Sequence, residues 1–232
     1  MNIMTFNIQH CMQYKTSKID FKLYADTISR FNPDVVGLNE VRSESNDSEY
    51  DNQAKILSEL TGIKYYYFAE TIKFNGLNPF GNAILSKHPI VSIDTIRIPD
   101  PTIRAYKGYY ETRNILKAKL DCGLTVFITH WGLNHDEQIN AQRTLLENLE
   151  NEKCILMGDF NVAPTCELLN SIRERMRDTA ELFSKPLLSY PSDKPKEKRD
   201  YIFTSYDIQT DFADIPPVTT SDHRPYIAKI HY

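Results

Sequence analysis

Short runs of apolar, β-branched and aromatic residues recur along the chain and predict a protein rich in β-strands. Nine runs have strand length: 2–8, 34–38, 64–69, 83–86, 116–120, 124–129, 153–157, 201–204 and 226–230. Three segments carry apolar residues near helical spacing and predict amphipathic surface helices, at 19–31, 53–60 and 135–149. Gly62 is placed to end the second helix. This order of elements predicts two packed sheets with helices on the outside.

The composition is that of an ordinary globular protein. The chain has 232 residues, of which 41% are hydrophobic and 25% are charged. Compact two-sheet folds reach this length without splitting, so we expect one domain over residues 1–232. The formal net charge of −4 argues against a tight, sequence-independent hold on long DNA, because such binding needs many converging lysine and arginine side chains.

One proline-rich, basic segment contrasts with this acidic balance. Residues 185–198 contain three prolines and are predicted to form a long mobile loop. The basic side chains of this segment and of the residue that follows it either contact an anionic substrate or are solvated. These residues are Lys194, Lys196, Lys198 and Arg199. An aromatic run at 65–68 favours packing in a core strand over stacking on nucleic-acid bases.

The four cysteines lack CxxC spacing and an accompanying zinc-ligand pattern; they are Cys11, Cys122, Cys154 and Cys166. No secretory signal precedes the first predicted strand, so we expect reduced thiols in a cytoplasmic protein. The longest apolar runs are strand-sized, which predicts no membrane-spanning helix. The sequence implies no protein partner.

Six short segments each join a strand-like run to metal-binding or proton-handling side chains: 5–7, 37–41, 129–131, 158–161, 199–203 and 221–225. A fold that brings strand ends together would gather these asparagine, glutamate, aspartate and histidine side chains at one rim. Hard oxygen ligands suit a divalent cation, and imidazoles transfer protons near neutral pH. The pattern points to a metal-dependent phosphoesterase.

Several of these residues have a structural alternative. Asn7 is an amide within an apolar strand, which is costly without a partner, so it contacts a metal or phosphate or makes a structural hydrogen bond. Glu40 follows an apolar run and either binds Mg2+ or Mn2+ or is an exposed charge at a strand end. Asp159 and Asn161 flank Phe160, so in an extended segment both project to one side; the alternative is a capping turn before a helix near Pro164.

Histidine supplies the candidates for proton transfer. His223 is the strongest candidate for a general base or a transition-state-stabilising group, because imidazole titrates near neutrality. His130 ends the strand at 124–129. Arg113 could bind phosphate through its guanidinium fork or form a structural salt bridge. Four other histidines are predicted at the surface or in loops, although the first lies near Asn7 and could touch substrate: His10, His88, His135 and His231.

Taken in order, the six segments resemble the endonuclease/exonuclease/phosphatase superfamily, which includes deoxyribonucleases, apurinic endonucleases, inositol polyphosphate phosphatases and neutral sphingomyelinases. The resemblance runs from Asn2 to Ile230, and the segments 81–90 and 111–120 agree with it. Two departures are Asn39, where the family often has glutamine, and Trp131, where it often has leucine. The resemblance implies an α/β four-layer sandwich: two mixed β-sheets packed face to face, with helices on the outer faces and the active site at one end.

The resemblance also implies a role for each rim residue. Glu40 is the expected principal metal ligand, with Asn7 and Asp222 beside the same Mg2+ or Mn2+. Asp159 would orient or deprotonate the attacking water. Asn161 would donate a hydrogen bond to a phosphoryl oxygen.

The histidine roles are implied in the same way. Asp200 matches the family residue that orients His223. His130 matches a histidine that contacts the phosphate or protonates the leaving group, so two histidines would supply acid and base. Arg113 and Glu111 resemble the arginine and glutamate that precede a central strand of the family.

The expected function is therefore metal-dependent hydrolysis of phosphoester bonds in nucleic acid, a phosphorylated small molecule or a lipid headgroup. One alternative is an endonuclease specific for DNA. Another is a non-catalytic binding module on the same fold, which the complete catalytic set argues against. We expect substrate specificity to reside in the loops at 42–51, 74–80, 99–110 and 185–198.

Overall fold

The computed structural model describes residues 1–44, 51–182 and 187–232, and within them twelve strands form two mixed six-stranded sheets. The first sheet contains β1 (Asn2–Asn7), β2 (Val35–Arg42), β3 (Tyr65–Phe74), β4 (Asn78–Ser86), β11 (Gln209–Asp214) and β12 (Tyr226–His231), in the order β11-β12-β1-β2-β4-β3. The second contains β5 (Ile90–Arg97), β6 (Asn114–Leu120), β7 (Thr125–His130), β8 (Cys154–Asp159), β9 (Met176–Asp178) and β10 (Asp200–Ser205), in the order β5-β6-β7-β8-β10-β9. Only β1 with β2 and β7 with β8 pair in parallel among these strands.

The helices cover the outer faces of the two sheets. They are α1 (Phe21–Arg30), α2 (Gln53–Thr61), α3 (His135–Asn148) and α4 (Asn170–Arg173). Asp20 caps α1 by accepting a hydrogen bond from the Leu23 amide at 2.9 Å, and Gly62 ends α2 in the left-handed conformation with φ 71°. These ends agree with the sequence prediction to within two residues.

Three apolar clusters hold the layers together. The central cluster joins the inner faces of the sheets through residues such as Ile3, Ile84, Val126 and Met157. A second packs α1 and α2 on the first sheet, and a third packs α3 and α4 on the second. The layer order is therefore helices, sheet, sheet, helices, which confirms the predicted four-layer α/β sandwich.

Three strands escaped the sequence analysis: β5, β9 and β11. Each is short or edge-located, and β5 exposes five of its eight residues and β11 three of its six. Without burial on both faces, such strands lack the continuous apolar run that marks a central strand. The predicted core packing of the 65–68 run is also wrong in part, because it lies on the edge strand β3 with Tyr66 38% and Tyr67 39% exposed.

The described part of the proline-rich segment, 187–198, is packed against the protein. Tyr190 and Glu197 form an isolated antiparallel bridge, and Ser189 and Ser192 are fully buried. Lys198 is neither solvated nor presented to substrate, since its ammonium lies in the interior, 3.1 Å from an Asp178 carboxylate oxygen. Both sequence interpretations are therefore wrong for this lysine. Residues 185 and 186 lie outside the described ranges.

The first sheet is completed by β12, the last strand among the described residues. β12 lies between β11 and β1, and Asn2 pairs with Lys229 across the β1–β12 ladder. The Met1 amine donates to the Ile230 carbonyl at 2.7 Å. No helix among the described residues is long and apolar enough to cross a membrane.

We expect Gly158→Ala to lower the free energy of unfolding by more than about 3 kcal/mol. Gly158 has φ +144°, and a Cβ atom there would lie 1.8 Å from the Thr129 carbonyl oxygen. Gly123→Ala is the matched control, because Gly123 also has positive φ (+87°) but no atom within 4 Å of its Cβ position; about 1–2 kcal/mol of backbone strain is expected there. Urea unfolding measures both, and equal losses would contradict the steric explanation.

Candidate active site

Strand ends from both sheets bring the predicted rim residues together. β1, β2, β7 and β8 end at the same end of the sandwich, and β10 begins there because Asp200 pairs with Asp159 in the antiparallel ladder. The loop before β12 adds two more side chains. The residues gathered at this end are Asn7, Glu40, His130, Asp159, Asn161, Asp200, Asp222 and His223.

Asp159 lies at the centre of the group. Its Oδ2 is 3.1 Å from Asn7 Nδ2, 3.5 Å from His130 Nε2 and 3.6 Å from His223 Nε2. Its Oδ1 accepts a hydrogen bond from the Asn161 amide at 3.0 Å. Burial raises the pKa of Asp159 to about 6, with an added contribution from Asp200 and an opposing one from His223. A carboxylate with that pKa can accept a proton near neutral pH.

Glu40 occupies a bulge in β2. The pairing of β2 with β4 shifts between Leu38 and Val41, and Glu40 has the left-handed φ of 57°. Its Oε1 accepts from Asn7 Nδ2 at 2.9 Å. Burial raises the pKa of Glu40 to about 7, and the negative charges of Asp222 and Asp159 add to that shift. Converging carboxylates of this kind are stabilised by a bound cation.

The donor set around Glu40 fits a hard divalent cation. Glu40 and Asp222 supply carboxylate oxygens, the ligands that Mg2+ and Mn2+ prefer. Asn7 directs its amide nitrogen at Glu40 and Asp159, while its Oδ1 accepts from the Gln9 amide at 3.1 Å. Asn7 therefore joins the two carboxylates, and its predicted contact with a metal remains a prediction.

Asp200 and His223 form a buried hydrogen-bonded pair. His223 Nδ1 lies 2.8 Å from Asp200 Oδ2, so Nε2 faces Asp159. Burial lowers the pKa of His223, but Asp200 and Asp159 outweigh it and raise the pKa to about 10. The other Asp200 oxygen is buried without a hydrogen-bond partner among the described residues. This contact fixes the His223 ring, and the predicted orienting role of Asp200 stays a prediction.

The contacts of His130 define its tautomer. Arg113 Nη1 lies 3.0 Å from His130 Nδ1, and because a guanidinium only donates, Nδ1 accepts and Nε2 carries the proton. Burial, followed by the charges of Arg113 and His223, holds the pKa of His130 well below its usual range. A neutral Nε2–H group suits a hydrogen bond to phosphate better than protonation of a leaving group. Arg113 also forms the predicted alternative, a salt bridge with Glu111.

Asn161 follows β8 in the left-handed conformation, with φ 51°. Its side-chain nitrogen donates to the Trp131 carbonyl at 3.0 Å, which holds the amide beside Asp159. The alternative of a helix cap is wrong, because α4 begins only at Asn170 and the 3-10 turn before it begins at Glu167. Its second amide hydrogen is available for a further bond.

A network of buried asparagines under the rim was missed by the sequence analysis. Asn39 Nδ2 donates to Asn82 Oδ1 at 2.8 Å and to the Thr129 carbonyl at 3.0 Å, and Asn39 Oδ1 accepts from the Asp159 amide at 3.0 Å. Asn82 in turn donates to Asn114 Oδ1 at 2.8 Å. These bonds join the two sheets beneath the candidate active site. The available signal was the presence of amides in otherwise apolar strands.

A second group of metal-binding side chains lies at the other end of β6. The ligand atoms of His88, Asp121 and Cys122 lie within 4.8 Å of one another. Arg113 precedes β6 and Asp121 follows it, so the length of this strand separates the group from the rim. The sequence did not predict this group, because His88 lies between β4 and β5 whereas Asp121 and Cys122 lie between β6 and β7.

The carboxylates, amides and histidines at this end of the sandwich are side chains suited to phosphoester hydrolysis. A family model described as the endonuclease/exonuclease/phosphatase family matches residues 4–223. The chain belongs to this family. Its members hydrolyse phosphoester bonds and generally depend on divalent metal ions.

Solved structures of similar proteins have the same fold. A family protein from Leptotrichia buccalis superposes with a TM-score of 0.78 and 22% identity, covering 100% of both chains. One from Beutenbergia cavernae gives 0.80 and 21%, covering 99% of this chain and 71% of the other. A mannosyl-6-phosphatase from Bacteroides thetaiotaomicron gives 0.77 and 14%, covering 100% of both chains. A search of curated proteins found no match.

Proposed function

We propose that the chain is a divalent-cation-dependent phosphoester hydrolase in which Asp159 activates the attacking water. The observation that carries the proposal is the position of Asp159, whose Oδ2 lies within 3.6 Å of an amide nitrogen and two imidazole nitrogens from both sheets. A buried carboxylate with a raised pKa and directed hydrogen-bonding partners is suited to accept a proton from water.

Glu40 and Asp222, with Asn7 beside them, would hold the cation, Mg2+ or Mn2+. When bound, the cation would neutralise charge on the phosphoryl oxygens. Burial, and then repulsion from Asp222 and Asp159, raises the pKa of Glu40. A bound cation would offset both effects, which supports this placement.

The remaining residues would stabilise the transition state. His223, oriented by Asp200 and kept protonated by its two carboxylate neighbours, would supply positive charge next to Asp159. This arrangement favours its transition-state-stabilising role over a general-base role. His130 Nε2–H and the Asn161 amide would donate hydrogen bonds to phosphoryl oxygens, and Arg113 would keep His130 in the donating tautomer.

Among substrates, small phosphoesters are favoured over long DNA. The formal net charge of −4 opposes extensive phosphate contacts, and Lys198 is withdrawn into the interior. The fold neighbour named a mannosyl-6-phosphatase provides a precedent for phosphatase activity on this fold at 14% identity. A DNA-specific endonuclease remains the alternative. The family match over residues 4–223 supports one domain across 1–232, and a cytoplasmic location stays a prediction.

We expect protein stripped of metal by a chelator to be inactive and to regain hydrolysis when Mg2+ or Mn2+ is added. The test substrates are plasmid DNA, bis-p-nitrophenyl phosphate, and phosphorylated sugars, inositols and lipid headgroups. Restored turnover of a small ester without plasmid nicking is the expected result. Nicking of plasmid at comparable efficiency would establish the endonuclease alternative, and no turnover of any ester with either metal would support a binding module.

A further inference from the structure

A strained turn lies immediately after Asn7. Gln9, His10 and Cys11 have φ values of 42°, 45° and 60°, and a left-handed conformation costs a non-glycine residue about 1–2 kcal/mol. Three consecutive residues of this kind need compensation from their surroundings. Backbone strain of this type concentrates at ligand-binding positions, where a side chain must be held in one place.

The compensation comes from packing and from one buried side chain. Cys11 is fully buried, and Gln53, the first residue of α2, is 3% exposed. Gln53 Nε2 donates to the His10 carbonyl at 2.8 Å, and Gln53 Oε1 accepts from the Arg42 amide at 2.9 Å. One glutamine therefore fixes the His10 turn relative to the end of β2, which carries Glu40.

The turn places His10 in the wall of a cavity of about 300 Å³. Glu40, Arg113 and His130 form the side of the cavity nearest the candidate active site. This volume is at the lower end of the range for small-molecule sites. The outer wall consists of His10, Arg42, Phe74, Phe80, Tyr109 and Glu111. A group attached to a phosphate at the rim would occupy this space.

The chemistry of the outer wall suits a ring that carries hydroxyl groups. Phe74 and Phe80 present tilted aromatic rings with centroids 5.1 Å apart, and aromatic faces pack well against C–H groups. Burial, and then the charge of Arg42, lowers the pKa of His10 to about 4, so its imidazole can both donate and accept. Glu111 is nearly buried, with its side chain 9% exposed, and its carboxylate is paired with Arg113, so His10 is the residue of this wall that we assign to hydroxyl contact.

The charges of the cavity argue against a polyanion. Two carboxylates, Glu40 and Glu111, and two guanidiniums, Arg42 and Arg113, line it. A groove for a nucleic-acid backbone needs an excess of basic side chains along its path. The balanced wall is better matched to a compact polar group whose only phosphate lies at the rim.

We propose that this cavity binds the leaving group of the substrate, that the leaving group is a polyhydroxylated ring such as a sugar or a cyclitol, and that His10 contacts its hydroxyls. The proposal rests on the proposed hydrolase function, since it assigns the group released when the phosphoester bond breaks. Gln53 is a positioning residue, because it acts on the substrate only through His10 and Arg42.

The test compares His10→Ala with wild type on a hexose 6-phosphate, an inositol monophosphate, a nucleoside monophosphate and methyl phosphate, all with Mg2+ or Mn2+. We expect wild type to prefer one of the two ring esters, the hexose 6-phosphate or the inositol monophosphate. Comparison of these two substrates distinguishes a sugar from a cyclitol. His10→Ala should lower the ratio of kcat/KM for that ring ester to kcat/KM for methyl phosphate about 10-fold or more, mainly through KM. His135→Ala is the matched control, because His135 is exposed on α3.

Several outcomes would overturn the proposal. An equal loss on the ring ester and on methyl phosphate would make His10 purely structural, and preference for the nucleoside monophosphate would refute the substrate class. If His10→Ala fails to fold, competitive inhibition of wild type by the free sugar or cyclitol, measured with methyl phosphate as substrate, decides the question; absence of inhibition rejects the cavity assignment. Failure of the hydrolase function itself is recognisable, because methyl phosphate would then not be turned over either.

Discussion

Glu40→Gln is expected to reduce cation-dependent hydrolysis about 10³-fold or more without unfolding the protein. The amide retains the shape of the side chain but loses the negative charge that would hold the cation. Glu40 is crowded by Asp222 and Asp159, and burial already raises its pKa to about 7. Removing its charge from the metal-free protein should therefore leave the urea midpoint unchanged or raise it slightly, as is common when a functional charge is neutralised.

A binding measurement separates loss of the cation from loss of the fold. We expect Mg2+ or Mn2+ to raise the melting temperature of wild type, because a ligand that binds only the folded state stabilises it, and to have little effect on Glu40→Gln. Glu147→Gln, an identical substitution at an exposed position of α3, should behave as wild type. Full activity in Glu40→Gln, or an undiminished shift with metal, would remove Glu40 from the proposed metal site.

His223→Ala is expected to lower kcat by about 10²–10³-fold, the loss that follows removal of one group that stabilises the transition state. Its Nε2 faces Asp159, and its Nδ1 is held 2.8 Å from Asp200. Asp200→Asn should reduce kcat by a smaller factor, because the amide keeps the shape but no longer stabilises a charged imidazole. Steady-state kinetics at saturating metal would measure both variants, with His135→Ala as the control.

The double variant tests whether Asp200 acts through His223. If it does, His223→Ala combined with Asp200→Asn should be no less active than His223→Ala alone, since effects of residues in one unit are not additive. Multiplicative losses would instead give Asp200 an independent role. That outcome would favour treating Asp200, with Asp159 and His223, as part of a metal-binding set, which their converging ligand atoms would also permit.

The sequence predicted the central strands because burial on both faces produces continuous apolar runs. β8 and β10 are buried along their whole length, and both were recognised. The edge strands β5 and β11 contain many exposed residues, and the sequence did not predict either of them. Burial depends on neighbours that are distant in the chain, and a single sequence does not reveal them.

The candidate site was likewise predicted only in part. Its residue types and strand-end positions were readable from the sequence, and all eight predicted rim residues lie together. Their orientations were not readable, because they depend on long-range partners: the Asn7 amide is directed by an Asp159 that is 152 residues away. The tautomer of His130 likewise follows from Arg113, the residue before the neighbouring strand β6. The left-handed turn at His10 has no sequence signal, since none of its residues is glycine.

The position of β12 in the first sheet affects when the protein can fold and become active during its synthesis. β1 leaves the ribosome well before its antiparallel neighbour β12, and His223 precedes β12 by only a few residues. A nascent chain therefore carries Glu40 and Asp159 well before it can close the first sheet. Hydrolytic activity should appear abruptly as synthesis passes β12, and prematurely terminated products should be inert and exposed to proteolysis.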